Sequence, residues 1–405
     1  MITHKFRLYP NNQIENKLLE ALEICRQGYN TFLGELNNQK VIDKSLIQGI
    51  IPDMKICDSR FSKVHSKALQ YEVYKLFSNL SGLSATKKNH RKVGSLRFKA
   101  KGVFKTFTYN QSGFRLDWNN NKNQTLWLSK IGNIPIRCHR KVQGKIKQIT
   151  IKHFPSGKWY AFVIEDGVKP QKTANNLVVG IDLGLQNIIY DSDGNSIQNP
   201  RYLKQKEKRM KHLQRLMSNK QKKSNNRNRF RIQLARQYEK LANSRDDFAH
   251  KVSRYYAGNY GIIAFEDINI QNLSRGMFSK SMNDAVLGKI RQFTAYKAEN
   301  AGGKVMLVRT AGTTTRCSQC GVDNPKEIWE REHNCWNCGF IAPRDYNSAL
   351  EIKRLCLEKI RQELPEYKHL EMEALPEESE SALLTSHWQL LSMKNEAYSK
   401  TKVLV

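Results

Sequence analysis

At 405 residues the chain is far too long for a peptide or a disulfide-stapled mini-protein, and at roughly 150 residues per domain it reads as two or three domains. Lys and Arg number 68 against 37 Asp and Glu, a formal net charge of +31, while 39% hydrophobic residues suffice for globular cores. That balance points to a polyanionic partner. The apolar runs Leu177–Ile181 and Gly261–Phe265 fall well short of the ~18 residues of a membrane span, and the N-terminus has no secretory h-region, so a cytoplasmic protein is expected.

Residues Ile2–Tyr9 alternate apolar and polar side chains, which predicts a strand stopped by Pro10. Asn11 or Asn12 then caps a helix whose apolar positions Ile14, Leu18, Leu22, Cys25, Tyr29, Phe32 and Leu36 recur at steps of three and four. Leu69, Val73, Leu76, Phe77 and Leu80 repeat the pattern, so residues 11 to about 90 read as a helical unit. From Leu96 to Glu165 the period drops to two. Val103–Tyr109, Phe114–Trp118, Thr125–Leu128, Ile134–Cys138, Lys145–His153 and Lys158–Ile164 predict short strands of a small antiparallel sheet or barrel.

A polar link, Lys169–Asn176, leads into an α/β region. Leu177-Val-Val-Gly-Ile-Asp182 reads as a buried strand, and Asn187–Asp191 as a hairpin strand turning at Asp193-Gly194. Two basic helices are predicted over Arg201–Ser218 and Arg227–Ala257, followed by strands Ile262–Phe265 and Lys304–Arg309 and a helix from Pro343 to Leu357. Beyond it, residues 358–405 lose periodicity and carry nine acids to six bases, the signature of a disordered tail.

Four of the eight cysteines form two pairs, Cys317-x2-Cys320 and Cys335-x2-Cys338, each followed by glycine (Gly321, Gly339). Such knuckles converge four thiolates on one tetrahedral Zn²⁺, and a reducing compartment favours metal over disulfides. Four protein ligands leave no open coordination position, so the site is structural. His333 is a second-ranked alternative to Cys335, since it lacks the knuckle position.

Asp182 and Glu266 each end an apolar strand, where a carboxylate is expensive unless something cationic meets it. Taken singly, Asp182 could be a turn residue and Asp345, at a helix start, merely a cap. Taken together, three acids in a basic protein suit two Mg²⁺ ions that activate water against a phosphodiester. Strand, hairpin, strand and C-terminal helix presenting Asp, Glu and Asp is the order of RNase H-like nucleases of the RuvC type.

On Gly180-Ile-Asp182-Leu-Gly184, Phe265-Glu266-Asp267-Ile268, Thr313-Thr-Thr-Arg-Cys317-Ser-Gln-Cys320-Gly321 and Cys335-x2-Cys338-Gly339 followed by Arg344-Asp345-Tyr-Asn347-Ser-Ala349, the chain resembles the transposon-encoded TnpB (OrfB) proteins over about residues 1–357. Ser348 departs from the small apolar residue more usual there. The resemblance implies a multidomain α+β and α/β chain. Its parts would be a wedge-like β-barrel (1–10 and 96–170) with a helical recognition domain (11–95) inserted, and a RuvC-like domain (177–310 and 343–357) with a zinc-ribbon insert (311–342). It further implies an RNA-guided DNA endonuclease with catalytic acids Asp182, Glu266 and Asp345 binding Mg²⁺, zinc ligands Cys317, Cys320, Cys335 and Cys338, a guide RNA from the transposon end, and double-stranded target DNA.

The stretch Lys204–Arg231 holds twelve Lys/Arg and one Glu, with Lys222, Lys223, Arg227, Arg229 and Arg231 its densest part. A solvated helix face is the bland reading, and phosphate contact with guide RNA or heteroduplex the functional one. Trp118, Trp127 and Trp159 are expected in the core ahead of any base-stacking role. The competing functions are a guided DNA-binding protein without cleavage and an accessory transposase. Retention of all three acids favours the enzyme.

Overall fold

The computed structural model describes residues 1–39, 42–117, 124–167, 176–269, 279–309, 311–327 and 329–363. The chain forms two compact units, Met1–Val168 with Arg231–Arg236, and Lys169–Phe230 with Gln237–Val405. No helix among the described residues is long and apolar enough to cross a membrane.

The first unit is built on a seven-stranded antiparallel sheet that forms a nearly closed barrel. Its strands are β1 (Ile2–Leu8), β2 (Thr106–Asn110), β3 (Phe114–Asp117), β4 (Thr125–Leu128), β5 (Gly132–Arg137), β6 (Ile146–His153) and β7 (Trp159–Glu165), in the order β2-β6-β7-β1-β5-β4-β3. The N-terminal strand is therefore central, paired with β7 from Ile2↔Glu165 to Leu8↔Trp159 and with β5 at Arg7↔Arg137. Between β1 and β2 run four α-helices, α1 (Asn12–Asn38), α2 (Lys44–Gly49), α3 (Ile51–Cys57) and α4 (Ser66–Lys88). Asn11 caps α1, its side-chain oxygen accepting from the Ile14 N–H at 2.8 Å. The apolar stripes of α1 and α4 (Leu18, Cys25, Phe32, Leu69, Val73) and the inward residues of the sheet (Phe107, Leu126, Ile149, Trp159) form one core. Trp159 lies inside it, with Nε1 donating to Glu15. Trp127 departs from the expected core position: it is 37% exposed, because Leu126 and Leu128 take the inward positions on β4 and the alternation turns it outward. Trp118 lies outside the described residues.

The second unit holds a five-stranded sheet of order β10-β9-β8-β11-β12, with β8 (Val178–Asp182), β9 (Asn187–Asp191), β10 (Ser196–Gln198), β11 (Ile262–Glu266) and β12 (Lys304–Val308). The central strands β8, β11 and β12 run parallel and β9 and β10 form an antiparallel edge. Side chains sort by strict alternation. Val179, Ile181, Ile263 and Phe265 pack with Ala249, Val252 and Tyr256 of the long helix α6 (Asn225–Asn259) and with Leu287 and Ile290 of helix Leu287–Asn300. Val178, Ile262, Ala264, Met306 and Val308 face the closing helix Arg344–Glu363 through its Ile352, Leu355, Cys356 and Ile360. That helix runs six residues past the expected end at Leu357, since Ile360 is still buried and the Arg354–Glu358 pair supports the last turns. The remainder of the expected tail, from residue 364, lies outside the described residues.

Candidate metal centre and nucleic-acid surfaces

Two parallel strands bring two of the three acids together. Strand β11 pairs β8 from Ile262↔Val178 to Phe265↔Ile181, and continuing that register by one residue sets Glu266 level with Asp182. Both fall on the sheet face that carries the closing helix, because Gly180, two residues before Asp182, lies directly against that helix. A Cβ on Gly180 would stand 2.2 Å from the Ala349 carbonyl oxygen and 2.5 Å from the Lys353 nitrogen, so only glycine admits the helix this close. Asp345 sits in the first turn of the same helix, one turn before Ala349.

The electrostatics record the gathering. Burial, then the charges of Asp345 and Glu266, push the Asp182 carboxyl up to about 7. Burial also raises Glu266, partly offset by the hydrogen bond its Oε1 accepts from the Thr313 hydroxyl at 2.5 Å. Arg344 Nε stands 3.9 Å from Asp345 Oδ1 and lowers Asp182 in turn. The carboxylates are not drawn into so tight a group as the thiols described next, which form the one metal-sized cluster of three or more His, Cys, Asp or Glu among the described residues. Like charges repel without a cation, and ligands that serve two ions spread wider than those that serve one.

The four predicted cysteines converge. All four Sγ atoms lie within 4.8 Å of one another, with Cys317–Cys338 at 3.7 Å and Cys320–Cys335 at 3.5 Å. A tetrahedral zinc with bonds of about 2.3 Å requires sulfur–sulfur edges of about 3.8 Å, so the thiols fit that ion. Backbone donors lower two of the thiols, the Val322 N–H holding Cys320 down to about 6 and the Cys338 N–H lowering Cys335, whereas burial raises Cys317 and, with the neighbouring thiols, pushes Cys338 up to about 12. Gly321 and Gly339, at φ +76° and +75°, make the left-handed turns this needs. His333 is fully buried with Nδ1 against Lys326 Nζ, and it is not a member of the thiol cluster.

The basic run is divided. Helix α5 (Tyr202–Ser218) and the start of α6 carry it, and Lys222, Lys223, Arg229 and Arg231 are exposed. Arg227 is instead engaged internally, donating to the Met217 carbonyl at 3.3 Å and the Lys220 carbonyl at 3.2 Å, where it closes the α5–α6 turn. A second basic surface escaped the sequence. In the first unit a cleft of about 600 Å³ is lined by Lys75, Lys99, Lys105 and Lys152 together with Tyr29 and Phe104. Lys99 Nζ stands 5.8 Å from the Tyr29 ring and Lys75 Nζ 5.6 Å from that of Phe104. Its residues are scattered over more than a hundred positions, so no local pattern announces it.

Comparison with known families places these features in one frame. Residues 161–277 match OrfB_IS605, described as a probable transposase, residues 288–352 match the Cas12f1-like TNB domain, and residues 1–39 match HTH_OrfB_IS605, a helix-turn-helix domain. In these segments the chain carries OrfB_IS605 (TnpB) family domains. Among its relatives, a protein of Escherichia coli (strain K12) named as RNA-guided DNA endonuclease InsQ is 28% identical over 375 residues, covering 86% of this chain and 90% of the relative. One from Streptomyces pristinaespiralis, also named as an RNA-guided DNA endonuclease, is 26% identical over 365 residues, covering 86% and 87%. The CRISPR-associated endodeoxyribonuclease Cas12f1 of Sulfoacidibacillus thermotolerans is 34% identical over 129 residues, 30% of each chain. In fold, the protein of a Cas12f1-sgRNA-target DNA complex solved by cryo-electron microscopy is similar at a TM-score of 0.50 and 14% identity, covering 85% of this chain and 83% of that one. In this chain the segment matched as helix-turn-helix is one strand, β1, and one unbroken helix, α1.

Proposed function

We propose that the protein is an RNA-guided DNA endonuclease of RuvC type, in which Asp182, Glu266 and Asp345 hold the catalytic divalent cations. One observation carries this reading: the β8–β11 register levels Asp182 with Glu266 on the sheet face against which Gly180 seats the helix of Asp345. Hard carboxylate oxygens suit Mg²⁺, and a bound cation would offset the burial and the mutual repulsion that together raise Asp182. Held by Asp182, Glu266 and Asp345, divalent cations would supply activation of a water and stabilisation of the leaving oxygen of a phosphodiester. The protein's own part is to fix the three carboxylates on rigid elements, two strands and a helix start, and to keep the ribbon's four thiolates on a separate structural Zn²⁺.

With a net charge of +31, the exposed lysines and arginines of the α5–α6 region and the lysine-lined cleft of the first unit are assigned to guide RNA and target DNA. In the cleft, the partly buried Phe104 sets a ring beside the Lys75 ammonium group, the combination that holds bases and phosphates together, while Tyr29 is buried in the core behind it.

The test is cleavage of a double-stranded target matched to the RNA that copurifies with the protein. Cleavage should require Mg²⁺ and that RNA, and Asp182→Ala or Glu266→Gln should abolish it while leaving RNA binding intact. Cutting that continues in either variant overturns the acid assignment, and cutting without RNA overturns the guided mechanism.

A further inference from the structure

The ribbon touches the acid site from both ends of its own segment. At its entry, Thr313, only 2% exposed, donates its hydroxyl to Glu266 Oε1. At its exit, Asn347 is fully buried two residues beyond Asp345 on the same helical turn. The Asn347 side-chain oxygen accepts from the Ser318 N–H at 3.0 Å, and its NH₂ donates to the Arg316 carbonyl at 2.8 Å. Those two backbone groups flank Cys317, a member of the thiol cluster. A primary amide is the side chain that both accepts and donates from one planar group, so Asn347 grips the knuckle as a strand neighbour would. Aspartate would keep the acceptor and lose the donor.

We infer that Thr313 and Asn347 are positioning residues through which the metal of the ribbon governs the placing of Glu266 and Asp345, an inference that rests on the divalent-cation site proposed above. Metal bound by the four thiolates is local folding free energy for residues 311–342. Without it the Arg316–Ser318 backbone is no longer fixed, Asn347 loses the partners of a buried amide, and the turn that carries Asp345 is released. Thr313, at the other end of the same segment, then ceases to hold Glu266. The two metal sites are coupled, and linkage makes the coupling reciprocal: zinc tightens the divalent site by the factor by which the divalent cation tightens zinc.

The experiment measures binding of Mn²⁺ alone to the full-length protein by the electron paramagnetic resonance signal of the free ion, in zinc-loaded protein and after zinc removal by a chelator. Glu266→Gln serves first. If it leaves the tight Mn²⁺ site unchanged, the cation-site reading fails on its own account. With that site lost in Glu266→Gln, Thr313→Val should raise the Mn²⁺ dissociation constant about tenfold and Thr313→Ser, which keeps the hydroxyl, should restore it. Zinc removal should weaken Mn²⁺ binding in the wild type by a similar factor and should have a smaller effect in Asn347→Ala, where the link to the knuckle is already cut and only the Thr313 contact still answers to the metal. Should Asn347→Ala not fold, Asn347→Asp takes its place, with a reduced zinc effect expected. Wild-type affinity in Thr313→Val, or an undiminished zinc effect in the Asn347 variant, overturns the inference.

Discussion

Gly180 and Ala349 are so close that a Cβ on the glycine would lie 2.2 Å from the alanine's carbonyl oxygen. The strand that ends in Asp182 and the helix whose first turn carries Asp345 are thereby locked at one separation, and the obstacle to any side chain is backbone, which cannot rotate away. Gly180→Ala should destabilise the second unit by about 3 kcal/mol and lower its melting temperature by roughly 10 °C, because overpacking here moves a whole helix. It should also abolish DNA cleavage in the protein that remains folded, since Asp345 moves with that helix. Thermal denaturation and cleavage at a temperature well below the transition check the two effects separately.

A structural zinc predicts a stoichiometric result. Elemental analysis of freshly purified protein should find one zinc per chain, and Cys320→Ser should lower that content and increase proteolytic cleavage within residues 311–342. Cys320 and Cys335 are lowered but Cys317 and Cys338 are raised, so forming four thiolates displaces protons at neutral pH, and zinc affinity should fall as the pH falls. Zinc-free protein with an intact ribbon would sink the assignment.

In the first unit, Glu72 gives stability a pH dependence. It is fully buried in α4, with Lys75 Nζ 2.7 Å from one carboxylate oxygen and no partner for the other among the described residues. Burial pushes its carboxyl up to about 7. The unfolded chain ionises Glu72 near its ordinary value of about 4.3, so between there and 7 the native state binds more protons and stability falls as pH rises. The penalty is complete above pH 7 and on the order of 3 kcal/mol. Glu72→Gln should therefore raise the melting temperature at pH 8 and change it little near pH 4.5. Equal effects at the two pH values would show that the carboxyl ionises normally in the fold.

What the sequence could reveal divides along physical lines. The acid-bearing strands were legible because a run such as Val178-Val179-Gly180-Ile181 has one stable environment, and the thiol cluster because knuckle geometry is written in spacing. The place of β1 at the centre of a seven-stranded sheet was not, since its partners Trp159–Glu165 lie about 150 residues away and pairing across that distance leaves no local pattern. Trp127 was misplaced because its neighbours on β4, not its own hydrophobicity, decide which face it takes. The closing helix outran its expected end because Ile360, buried on the sheet face, continues the apolar stripe through an otherwise charged sequence. Arg227 read as one more cation in a basic run, and only the fold reveals that its guanidinium is spent on carbonyls of the preceding turn.

That last distinction yields a prediction about nucleic-acid binding. Lys222, Lys223, Arg229 and Arg231 are exposed along the α5–α6 junction, whereas Arg227 is half-buried and bonded to Met217 and Lys220. A cation that neutralises a phosphate releases a counterion, so each contact contributes roughly 0.7–0.9 to the slope of log affinity against log salt. Replacing the four exposed residues with alanine should flatten the slope for the copurified RNA by up to about 3 and weaken all sequences alike, because phosphate contacts carry no sequence information. Arg227→Ala should do the reverse. It should lower the melting temperature through the loss of two hydrogen bonds that close the helical turn, each worth about 1 kcal/mol, and leave the salt slope near the wild-type value. Salt titrations of the two variants beside thermal melts decide between the readings. An unchanged slope in the quadruple variant returns this face to plain solvation, and a flattened slope in Arg227→Ala alone would mean that its guanidinium leaves the turn to meet the RNA.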